Sequence, residues 1–286
     1  MTVPPLMIEK AIELLREAAN ANRKTAARQG NVIRLDETTA DEVLVAADLH
    51  GNRLNYASLI ARADLANNPR RHLVMQEVCH GGPTYPSGGC MSHLVLEDVA
   101  ALKVEYPDRF HFILSNHELA ELTDFPIMKA SRMLNLVFRT GVQELYGEST
   151  ERVRQAYLNF LKTCPLAVSL ASRIFICHSL PEKLELEEFD PDIFDRPLET
   201  SDYAPRGPIF RLVWGRDFSQ ENAEAFAKLV DADILIHGHE PCSEGFHVPN
   251  SKQIILDCCG DQACYLIVPA SGSVAQAELI QRIERL

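Results

Sequence analysis

The sequence predicts an α/β protein, on three observations. Short apolar runs alternate with polar turns and helical patterns through the middle of the chain. Each run ends in a side chain able to bind a metal or a proton. The composition, 46% hydrophobic and 24% charged over 286 residues, is that of an ordinary globular protein with a real core.

In chain order, residues 5–20 set Leu6, Ile8, Ala11, Ile12, Leu15 and Ala18 near a 3.6-residue period opposite Glu9, Lys10, Glu13 and Arg16. This reads as an amphipathic helix docking on the main body. Residues 21–40 are polar and read as an irregular lead-in. Strands are expected at 43–47 (VLVAA), 72–76 (HLVMQ), 110–114 (FHFIL), 173–177 (RIFIC) and 233–236 (DILI). Helical patterns fall at about 52–66, 92–105, 127–145, 151–163 and 219–230. Segment 179–208, rich in proline and acidic residues, reads as a long surface excursion. The part from 242 to 286 carries strand-like runs (FHV, QIILDCC, ACYLIV) with few helix signals. A single domain over 1–286 is expected, with an N-terminal helical extension to about residue 40 and a strand-rich part from about 242.

Several function classes drop out. Apolar stretches such as Val43 to Ala47 fall far short of the roughly 20 residues that cross a bilayer, so no membrane partner is expected. The N-terminus lacks a secretory pattern, and a cytoplasmic location is expected. Twenty-eight basic against 40 acidic side chains give a net charge of −12, which repels phosphate backbones and argues against a nucleic-acid partner. The eight cysteines form no CxxC pair and read as buried reduced thiols.

What stands at the strand tips is more specific. VLVAA is followed by Asp48 and His50, HLVMQ by Glu77 and His80, and FILS by Asn116, His117 and Glu118. RIFIC leads to His178, and DILI to His237 and His239. Ligands of α/β sheets gather beyond the carboxyl ends of strands, so these tips can converge. Carboxylate, imidazole and one amide, without thiolate, suit Mn, Fe, Zn or Mg. So many donors exceed the needs of one ion. A pair roughly 3.5–4 Å apart, bridged by a carboxylate, would use them all and would clamp a phosphoryl group.

The strings Asp48-Leu49-His50-Gly51-Asn52, Ser115-Asn116-His117-Glu118, His178-Ser179-Leu180-Pro181 and His237-Gly238-His239-Glu240 resemble the calcineurin-like metallophosphoesterase superfamily over roughly 43–245. The Asn-His-Glu and His-Gly-His-Glu strings are similar to the serine/threonine protein phosphatase branch and to bacterial relatives that cleave dinucleoside polyphosphates. Arg211 to Asp217 resembles a segment that this branch carries between its last two metal histidines. The resemblance implies a two-sheet β-sandwich flanked by helices and two divalent metal ions (Mn, Fe or Zn). Asp48 and His50 would bind the first ion, Glu77 would bridge, and Asn116, His178 and His239 would complete the second. His117 would donate a proton to the leaving oxygen, and Glu118 would orient locally.

The second motif departs from the family. Residues 76–82 read QEVCHGG, so the bridging aspartate becomes Glu77 and the phosphate-gripping arginine falls at Gly81. The aspartate that orients the Asn-His-Glu histidine falls at His80, which we take with His117 as the catalytic pair although it carries no carboxylate. Arg216, Arg211 and Arg53 are the substitutes for binding substrate, Arg216 first because it flanks Trp214. The expected function is a dinuclear metal-dependent phosphoester hydrolase, a phosphomonoesterase or serine/threonine phosphatase-like enzyme with a phosphorylated small molecule or phosphoprotein as substrate. A nucleotide hydrolase is the alternative, less favoured because no aromatic base-stacking cluster is visible in sequence. A metal-binding scaffold without activity is the third reading.

Overall fold

A computed structural model describes residues 3–184 and 188–286. Two sheets face each other, as the α/β sandwich requires. The first has five strands in the order Ile283–Arg285, Cys264–Pro269, Glu42–Val45, Arg71–Gln76 and Phe110–Ile113, the last three mutually parallel. The second has seven: Arg28–Gln29, Val32–Leu35, Ala167–Leu170, Ile174–Cys177, Ile234–His237, Gln253–Leu256 and Phe246–His247. Within it Ile174–Cys177, Ile234–His237 and Gln253–Leu256 run parallel.

Alternation along the strands explains the layers. Val43, Val45 and Val74 point into a cluster with Ile174, Ile176, Ile234, Ile236 and Ile254, which is the interior between the sheets. Their neighbours Leu44, Leu73, Met75 and Phe112 point outward into a second cluster made with the helices. Strands buried on both faces must be apolar throughout, which is why they read as continuous runs. The first helix, Pro5–Lys24, lays Ile8, Ala11, Leu15 and Ala18 on the helices Ser92–Glu105 and Thr150–Leu161. No helix among the described residues is long and apolar enough to cross a membrane.

Two expectations are corrected, and further elements appear. The polar lead-in of 21–40 holds the last turn of the first helix and two strands of the larger sheet, Arg28–Gln29 and Val32–Leu35. The helix expected from 127 begins at Leu134, because Met128–Lys129 and Arg132–Met133 pair as a small hairpin turned by Ala130 and Ser131 at positive φ. Strand Ala167–Leu170 gave too short an apolar signal to be picked out. The C-terminal part closes with a helix, Gln276–Gln281, before its last strand. The 179–208 excursion contains short helical turns at Pro191–Phe194 and Thr200–Tyr203; its residues 185–187 lie outside the described part.

Candidate metal centre

The carboxyl ends of five strands, three from one sheet and two from the other, bring together donors that are far apart in sequence. His50, Glu77 and His117 form one group; Glu77, His178 and His239 form another, with the donor atoms of each within 4.8 Å of one another. Glu77 is common to both. Its Oε2 lies 3.5 Å from His50 Nε2, and its Oε1 lies 3.7 Å from His117 Nε2 and 3.6 Å from His178 Nε2. Asp48 stands beside it, its Oδ1 4.0 Å from His178 Nδ1.

Local backbone geometry aims these groups. Asp48, His50, Glu77, His80 and His239 all adopt positive φ, a conformation uncommon for residues with side chains and one that collects at functional sites. The amides of Leu49 and His50 both donate to the carbonyl of Glu77 at 2.9 Å, which ties the first two strand tips together. Glu118, fully buried, accepts from the amides of Val78 and Cys79 at 3.0 and 2.9 Å and so holds the loop that carries Glu77 and His80. A Cβ on Gly238 would lie 2.1 Å from Asp48 Oδ1, so only glycine lets the His237–His239 turn pass this carboxylate.

The far ring nitrogens are held in turn. His50 Nδ1 faces the Cys79 carbonyl at 3.3 Å, His178 Nδ1 faces Gln76 Oε1 at 2.7 Å, and His239 is bonded to the backbone of Trp214. Such outer partners fix the tautomer and leave Nε2 as a lone pair aimed inward. His178 Nε2 meets Asn116 Oδ1 at 2.7 Å. Burial first, then the neighbouring imidazoles, hold His178 well below the usual histidine range, so the ring carries one N–H between two oxygen acceptors.

The electrostatics point the same way. Burial raises the carboxyl groups of both Asp48 and Glu77 from their ordinary values; the hydrogen bond between them lowers Asp48 in part, while the Asp48 charge raises Glu77 further. Burial pushes His239 down to about 3, and Arg216 adds to that shift. Among the described residues, buried Asp48 Oδ1 and His239 Nε2 have no hydrogen-bond partner. Two acidic groups, bare imidazole nitrogens and an orphaned carboxylate oxygen around one space are what divalent cations neutralise. The residues present fit two such ions.

The other sequence-predicted residues fall into place unequally. His117, lowered by burial and then by His50 and His80, meets His80 ring to ring at 3.0 Å between their Nδ1 atoms. Arg216 pairs with Glu240, and its charge reaches Glu77, His178 and His239. Arg211 donates to the carbonyls of Glu182 and Glu188 and lines a neighbouring cavity. Arg53 is paired with Asp98 at 2.8 Å on the flank of its helix. His237 packs at the end of its strand against Phe218 and Gln253, apart from the donor groups. The sequence reading missed Gln76, Glu121 and the aromatic wall. That wall is Trp214 stacked on Phe210 with Phe125 at their edges, and Trp214 stands against the His239 ring. Phe210 and Trp214 line a cavity of about 630 Å³ with Lys183, Arg206 and Arg211, an aromatic cluster the linear sequence does not reveal.

Two sheets in a sandwich, with one buried and one half-buried donor group sharing a carboxylate beyond their strand ends, define a class of protein with a candidate site for two cations. The sequence pattern of the calcineurin-like phosphoesterases matches residues 42–243, and the chain belongs to that family. Among solved structures, it is similar to a protein serine/threonine phosphatase from Saccharomyces cerevisiae described as similar to human phosphatase PP5. The TM-score is 0.70 at 16% identity, covering 98% of this chain and 88% of that one. It also resembles a cold-active protein-tyrosine phosphatase from Shewanella, with a TM-score of 0.56 at 12% identity over 86% of this chain and 79% of that one. These likenesses establish the shared fold.

Proposed function

We propose that this protein is a dinuclear metal-dependent phosphoester hydrolase acting on phosphomonoesters, including those of phosphoproteins. The observation that carries the reading is Glu77 shared between two donor groups. Asp48, His50, Glu77, Asn116, His178 and His239 would hold the ions. Two divalent cations there would supply positive charge to the phosphoryl oxygens and lower the pKa of a water. Arg216 would hold a phosphoryl oxygen from the rim. His117 Nε2, facing the same space, would give the departing oxygen its proton.

A second reading has an observation of its own. The Phe210–Trp214 wall with Lys183, Arg206 and Arg211 could seat a base and a polyphosphate, which favours a nucleotide hydrolase. The experiment is turnover of p-nitrophenyl phosphate, a phosphoserine peptide and a dinucleoside tetraphosphate after loading with Mn, Fe, Zn or Mg, with metal content measured on the same samples. Preference for the dinucleotide selects the second reading. One ion or none, with no turnover on any substrate, leaves a scaffold.

His117→Asn should keep both ions, since Asp48, His50 and Glu77 would hold the first without it, and reduce kcat by about 10²-fold or more on esters with poor leaving groups. The loss should be smallest on p-nitrophenyl phosphate, whose leaving group needs least proton donation. Equal losses on both kinds of ester would remove His117 from the proton step.

A further inference from the structure

Behind His117 lies a buried chain of side chains that neither the family resemblance nor the metal centre accounts for. His117 and Glu121 stand four residues apart on the helix Asn116–Thr123, hence on one face, one turn apart. His80, from the loop after strand Arg71–Gln76, inserts between them. Its Nδ1 lies 3.0 Å from His117 Nδ1, and its Nε2 lies 2.8 Å from Glu121 Oε1. The His80 and Glu121 side chains are 0% and 2% exposed, so no solvent competes for these contacts.

We propose that Glu121 and His80 act together as positioning residues for His117, replacing the aspartate that the resemblance places at position 80 with a histidine backed by a carboxylate. The inference rests on the phosphoesterase reading above and names how its proton donor is held.

Atom reach makes the replacement possible. Nδ1 of histidine and Oδ of aspartate are both two bonds beyond Cβ, so the acceptor facing His117 stays in the same place. What the imidazole lacks is a fixed direction, since either ring nitrogen can carry the proton. Glu121 supplies it. A carboxylate only accepts, so His80 Nε2–H donates to Glu121 Oε1 and His80 Nδ1 is left as a lone pair. His117 Nδ1–H then donates to that lone pair. His117 Nε2 is left facing Glu77 Oε1 at 3.7 Å, on the side where the ester would lie.

With Nδ1–H fixed, Nε2 is the one ring nitrogen free to take up a proton from solvent; when the P–O bond breaks that proton goes to the leaving oxygen, and the ring returns to its neutral form with Nδ1–H unchanged. Nothing need cross to Glu121. His80 itself is held from three sides. Its φ is 64°, its amide donates to Ser92 Oγ at 3.1 Å, and its ring sits edge-on to Phe138 at 5.7 Å. A left-handed histidine held this firmly is costly to keep unless its ring direction matters.

The test has an arm that does not depend on activity. In metal-free protein labelled with ¹⁵N-histidine, long-range proton–nitrogen spectra should show His117 as the Nδ1–H tautomer, its signals assigned by their loss in His117→Asn. Glu121→Gln should shift His117 toward Nε2–H, because an amide can donate to His80 as readily as accept from it. In the metal-loaded enzyme, Glu121→Gln should lower kcat about 10-fold or more on a phosphoserine peptide, much less on p-nitrophenyl phosphate, with KM unchanged. The double variant H80D/E121Q, which sets a carboxylate directly on His117 Nδ1, should recover most of the rate lost in His80→Ala.

An Nε2–H tautomer in the parent overturns the proposal whether or not the protein hydrolyses phosphoesters. So does equal loss on both substrates, or a double variant no better than His80→Ala. A parent without activity but with the expected tautomer sinks the phosphoesterase reading alone.

Discussion

If the dinuclear hydrolase reading holds, Glu77→Gln should lose one of the two proposed ions and reduce hydrolysis by more than the about 100-fold that loss of an outer-shell partner costs. Among the described residues the Glu77 carboxylate is the group common to the two donor clusters, and its oxygens sit 3.5–3.7 Å from three imidazoles. A neutral amide keeps the shape and removes the charge that both sites share. The same substitution should make the metal-free protein more stable, since it replaces by a neutral amide one of the two acidic groups that burial forces together at Asp48 and Glu77. Glu77→Asp, which draws the carboxylate back by one methylene, should retain two ions. Elemental analysis and thermal unfolding of the three proteins, with and without chelator, give both signs at once. Two ions retained in the Gln variant would remove Glu77 as the bridge.

Gly81→Arg should damage the protein where simple motif repair predicts improvement. An arginine there would match the family pattern and offer a guanidinium to phosphate. The backbone forbids it: a Cβ on Gly81 would lie 2.4 Å from the His50 carbonyl oxygen and 2.9 Å from its Cβ. The first obstacle is backbone, which no side-chain rotation relieves. The His50 turn must move, and with it one ligand of the first cluster. Overpacking of this kind costs about 1–3 kcal/mol, and the variant should melt lower and retain less metal. Gly81→Ala should show most of the same loss. A rise in kcat/KM at an unchanged melting temperature would show that the turn can yield. On the reading proposed above, the grip on phosphate would fall instead to cations reaching in from elsewhere, Arg216 foremost.

The five strands that end in candidate donors were legible in the sequence because each is buried on both faces, leaving an apolar run that stops abruptly at a polar side chain. That abruptness singled out Asp48, Glu77, Asn116, His178 and His239 as candidates, although the same signal at His237 marks a ring packed on Phe218 and Gln253 apart from the donor groups. The edge of the larger sheet was not legible. Arg28–Gln29 is two residues long and Val32–Leu35 points Arg34 to solvent, so neither makes a run. Glu121 was missed because a glutamate in a helix ordinarily reads as a solvated charge, although its spacing of four from His117 was there to be used. The Phe125, Phe210 and Trp214 wall has no linear signature at all. Phe125 lies far from the other two in sequence, and only packing of the helices Asn116–Thr123 and Pro208–Trp214 brings them together.

The left-handed turns at Asp48, His50, Glu77 and His239, closed around two acidic groups, make the folded chain a poor host to itself. Any divalent ion that binds the native state and not the unfolded chain shifts the folding equilibrium by mass action, about 2.7 kcal/mol at a free concentration 100 times its dissociation constant. In a protein of this size each kcal/mol moves the melting temperature by about 2–4 °C, so chelation should lower it measurably and readdition of metal should restore it. Marginal stability sets how much of a protein survives proteolytic surveillance. The strain stored in those four turns would then couple the abundance of the folded chain, and not only its turnover rate, to the supply of free metal around it.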